Sequence, residues 1–130
     1  MITLSKQQIK VLDTAAGNHY NSQLAAVLQE KWFANGVARV MSQMAPGSGP
    51  QDLARNLVKQ ANNYAIEAEG DVTPFCLLAM FDDPAFRQST TYEWIVQIIS
   101  QKEVDPESRM DAIYSLLPTY IREIVFGNKL

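Results

Sequence analysis

Asp71-Val72-Thr73-Pro74-Phe75-Cys76-Leu77-Leu78-Ala79-Met80-Phe81-Asp82-Asp83-Pro84 is the stretch from which the fold is read. Asp71 is a favoured N-cap residue, and Pro74 falls in the first turn, where no helical hydrogen bond is lost. The spacing predicts a helix over 72–81 that is apolar on nearly every side. A helix of that kind belongs in the middle of a fold, covered by others. Asp82-Asp83-Pro84 ends it. The apolar run over 74–81 is far shorter than the roughly 20 residues that cross a bilayer.

Helical patterns surround this centre on both sides. Towards the N-terminus, Leu53, Leu57, Ala61 and Tyr64 share one face of a helix over 51–67, and Gly70 breaks the pattern. Earlier still, Ser5 and Gln8 form a capping-box start. Ile9, Leu12, Ala16, Tyr20, Leu24 and Val27 then recur at steps of three and four, so a long first helix is expected over 5–31. Between these helices, Asn35-Gly36 and Ala45-Pro46-Gly47-Ser48-Gly49-Pro50 read as a flexible loop at about 35–50, with at most one turn of helix around 37–41.

Beyond the centre, Phe86 anchors a connection, and Thr90 or Thr91 caps a helix carrying Tyr92, Ile95, Val96 and Ile99. Asp105-Pro106-Glu107 opens another, with Met110, Ile113, Tyr114 and Leu117 as its stripe. Pro118 divides it from a last helix that ends at Gly127. No segment alternates strictly. The expected fold is all-α: a single domain over 1–130, a compact bundle of five or six helices with a long first helix and a central apolar one.

Composition narrows the function. With 130 residues, 47% hydrophobic and 19% charged, the chain is one globular domain rather than a disordered one. Its formal charge is −3, the wrong sign for a domain that grips phosphates. The charge is uneven: residues 1–64 carry +3 and the rest −6. One cysteine and one histidine make neither a disulfide nor an ordinary zinc site. The N-terminus lacks a signal-peptide pattern, so a cytoplasmic location is expected.

Few residues point to chemistry. His19 lies mid-helix beside Tyr20 and reads as structural, at the edge of the core. Cys76, on the most apolar helix, reads as inert filling. Glu67, Glu69, Asp71, Asp82 and Asp83 bracket the central helix. They suit a solvated rim or an acidic surface for a basic partner better than a metal or catalytic site, because Asp71 has a capping role and no Asp-x-Asp-x-Asp-Gly loop is present. Trp94 falls away from the stripe of its own helix and is either a partner anchor or packed against another helix.

Several of these residues carry a resemblance: Leu4-Ser5-x-x-Gln8 at the start, then Tyr64-Ala65-Ile66-Glu67-x-Glu69-x-Asp71-Val72-x-x-Phe75, Met80-Phe81, Asp83-x-x-Phe86 and Tyr92-Glu93-Trp94. The chain resembles a family of small bacterial helical proteins encoded alongside type VI secretion effectors. Ala65 stands where that family usually has glycine, and Phe81-Asp82-Asp83 where a Leu-Gly-Pro-like turn is common. The resemblance implies an all-helical, non-enzymatic protein that binds another protein; no cofactor and no metal are expected. The leading expectation is an immunity protein that occludes a cognate antibacterial effector, with Glu67, Glu69, Asp82, Asp83 and Trp94 as contact candidates. The alternatives are an adaptor that loads an effector for secretion, a small enzyme or ligand-binding domain using the acids near Asp71, and, weakest, a nucleic-acid binder using Lys6, Lys10, Arg55 and Lys59.

Overall fold

A computed structural model of the chain describes residues 18–127. Among them the chain forms eight helices and no strand: α1 (Asn18–Val27), α2 (Ala34–Met41), α3 (Pro50–Asn63), α4 (Glu69–Met80), α5 (Pro84–Arg87), α6 (Thr90–Ile99), α7 (Pro106–Leu116) and α8 (Thr119–Phe126). The all-α expectation holds. The count exceeds five or six because α2 lies where a loop was expected and α5 is a short helix inside a connection.

The apolar central helix is where its composition demands. α4 packs against α2, α3, α7 and α8. Val72 through Leu78 and Met80 are all buried. α1 lies against α3, with Leu24, Leu28, Leu53, Leu57 and Ala61 all sealed from solvent. A buried hydrogen bond of 2.5 Å between the hydroxyls of Tyr20 and Thr73 ties α1 to α4. The second half is a chain of shorter contacts, α5 on α6 and α6 on α7.

Four boundaries differ from the sequence reading. The expected first helix ends at Val27 rather than at 31, its last amides turning back in shorter loops such as Gln29 N–H to Ala26 O. Its expected start, from 5 to 17, lies outside the described residues. Next, Asn35 and Gly36 sit inside α2 rather than in a turn, and the connection shortens to 42–49. The reason is contact: a Cβ on Gly36 would lie 2.3 Å from the Met80 carbonyl oxygen, so glycine there lets α2 and α4 touch.

The third difference is the end of α3, at Asn63 instead of 67. Ala65 takes a left-handed conformation with φ of 62°. Its amide donates to Asn62 O at 2.9 Å and that of Ile66 to Ala61 O at 2.9 Å. This is the paired C-terminal closure of a Schellman turn. The start of α4 is the fourth. α4 begins at Glu69, its N-cap position is Ala68, and Asp71 lies in the first turn instead of capping it. Pro74 is then inside the helix, and the carbonyl four residues back that it cannot donate to belongs to exposed Gly70.

The remaining caps follow the residues that suggested them, shifted by one position in α6. Ser89, rather than Thr90 or Thr91, caps α6 through Tyr92 N–H. Asp105 accepts from Ser108 N–H at 2.9 Å, and Pro106 opens α7. Pro118 separates α7 from α8, and Gly127 ends α8.

Candidate protein-binding surface

The acids that bracket α4 occupy two ends of a helix about 18 Å long, and the two ends differ. At the C-terminal end, Asp82 lies 3.7 Å from the Arg39 guanidinium and 4.0 Å from that of Arg87. Arg87 also donates to the carbonyls of Ala79 at 3.0 Å and Phe81 at 2.7 Å, so it closes α4. Asp83 caps α5 through the amides of Ala85 and Phe86. Its second oxygen accepts from the Tyr120 hydroxyl at 2.9 Å. That bond keeps the Tyr120 phenol protonated to higher pH than usual. Asp83 therefore holds α5 and α8 together, and Arg39 and Arg87 offset the charge of Asp82. Exposed Trp32 stacks on Phe81 beside them, under the Lys31 ammonium at 4.8 Å.

The N-terminal end is different. Asp71 is half-buried on α4, and its carboxyl is pushed above the usual range first by burial, then by the charges of Glu107 and Asp111. Asp105 adds to the effect. Arg109 opposes it, but that residue is 1% exposed and donates through Nη1 to Ile99 O at 2.8 Å. Among the described residues its Nε and Nη2 have no hydrogen-bond partner. So the charges of Glu107, Asp111 and Asp105 all act on Asp71 where α4 packs on α7, opposed by that of Arg109. Glu67 and Glu69 are half-buried just before Asp71 in the chain. Of the candidate acids, this end thus brings together Asp71 with three that the sequence reading did not single out. Charge counting alone could have raised Asp105, Glu107 and Asp111, but not their proximity to Asp71.

α6 supplies the apolar part. Trp94 is 53% exposed and Val96 48%, while only Ile95 of this helix is fully buried. The expected stripe of Tyr92, Ile95, Val96 and Ile99 lines a half-open groove of about 170 Å³, completed by Gln60, Tyr64, Phe75, Leu78 and Ala79. Tyr92 forms one rim and accepts from Arg87 Nη1 at 3.1 Å. Helical spacing puts Trp94 on the opposite flank of α6 from Val96. The groove was not foreseen, because it needs α3, α4 and α6 in register.

The other two candidates stay apart from these features. Cys76 is fully buried, and burial alone pushes its thiol up, away from the reactive thiolate. His19 is exposed on α1, not at the edge of the core. Among the described residues, no group of three or more His, Cys, Asp or Glu is arranged to hold a metal ion, and no helix is long and apolar enough to cross a membrane. No family model matches the chain, and comparison with curated proteins and with solved structures returns no match.

Proposed function

We propose that the chain is a protein-binding module of the immunity type, which neutralises a cognate antibacterial effector by covering it. The observation that carries this reading is the acidic α4–α7 end. After burial, the charges of Glu107 and Asp111 raise the affinity of the Asp71 carboxyl for protons, and a basic partner surface relieves that repulsion on contact. Exposed Trp94 provides an aromatic of the type that anchors interfaces. Glu69 shares the first turn of α4 with Asp71, and Glu67 lies just before it in the chain. Asp82 and Asp83, engaged within the fold, serve as supports of the contact surface and not as its charge.

The test is coexpression with the product of the adjoining gene. A complex that survives gel filtration, together with protection of cells from that product, supports the reading. Trp94→Ala and Glu107→Lys should each weaken both. No complex and no protection overturns it. If deletion abolishes export of the partner while protection is unchanged, the chain is instead an adaptor that loads an effector.

A further inference from the structure

We draw no further inference here: the strongest candidate, the half-open apolar groove between α3, α4 and α6, lies on the helix already described as part of the binding surface, and nothing in the structure shows what covers it.

Discussion

Ala65 and Gly36 each sit where the other's residue type would be the usual guess. Ala65 takes a left-handed backbone, which costs an L-residue with a Cβ about 1–2 kcal/mol. Ala65→Gly should therefore stabilise the chain by about 1 kcal/mol. A urea titration should show a higher midpoint with an unchanged slope. Gly36 is the opposite case, since its added methyl meets backbone, which cannot rotate away. Gly36→Ala should cost about 3 kcal/mol, at the upper end for overpacking, and would be seen as an early thermal transition. Asn-Gly is a sound turn signal only while nothing presses on the glycine. Neither the contact with Met80 nor the sign of φ at Ala65 is written in local sequence, which is why α2 was hidden and α3 was read too long. Trp94 was legible as off-stripe, yet its exposure depended on the neighbours of α6. Trp94→Ala should change stability by no more than about 0.5 kcal/mol while costing about 2 kcal/mol or more in partner affinity. Calorimetry of the variant, alone and in titration, separates the two.

The elements were legible wherever a cap and a stripe agreed. α7 is the clearest, with Asp105, Pro106 and buried Met110 and Ile113 all in the expected roles. α4 was legible as the centre because apolar residues on every side leave no face for water. Its start was not, because a helix can open on Ala68 without a side-chain cap when its first turn carries Glu69 and Asp71 near the positive end of the dipole. The short α5 depends most on a single residue. Asp83 holds its first two free amides and links it to α8 through Tyr120. Asp83→Ala should destabilise by about 2 kcal/mol, the sum of a lost cap and a lost side-chain bond. Asp82→Ala, which loses only partly exposed ion pairs, should cost about 0.5 kcal/mol. Equal losses in chemical denaturation would contradict the roles assigned to this adjacent pair.

At the scale of the whole molecule, one buried helix separates an end where arginines pair with Asp82 from an end where the charges of Glu107 and Asp111 on Asp71 outweigh that of Arg109. The halves of the sequence differ in charge, but the structure distributes that charge by helix ends, so Asp82 is paired with arginines despite lying in the acidic half. The Asp71 end has a consequence for stability. The Asp71 carboxyl titrates above its ordinary 3.8 in the folded chain, chiefly through burial and then through Glu107 and Asp111. Between the ordinary and the raised value the folded chain binds more protons than the unfolded one. Stability therefore falls as pH rises through that window, and the loss persists above it. Asp71→Asn cannot ionise and escapes the loss. Melting temperatures followed from about pH 3 to about pH 7 should move in favour of the variant relative to the unmodified chain. High salt should shrink the part of that shift due to exposed Glu107 and Asp111 and leave the part due to burial. A basic partner should act like salt, drawing the Asp71 carboxyl back down. A variant that loses ground as pH rises would mean that Asp71 is ionised at no cost, and the acidic end would then hold no repulsion for a partner to relieve.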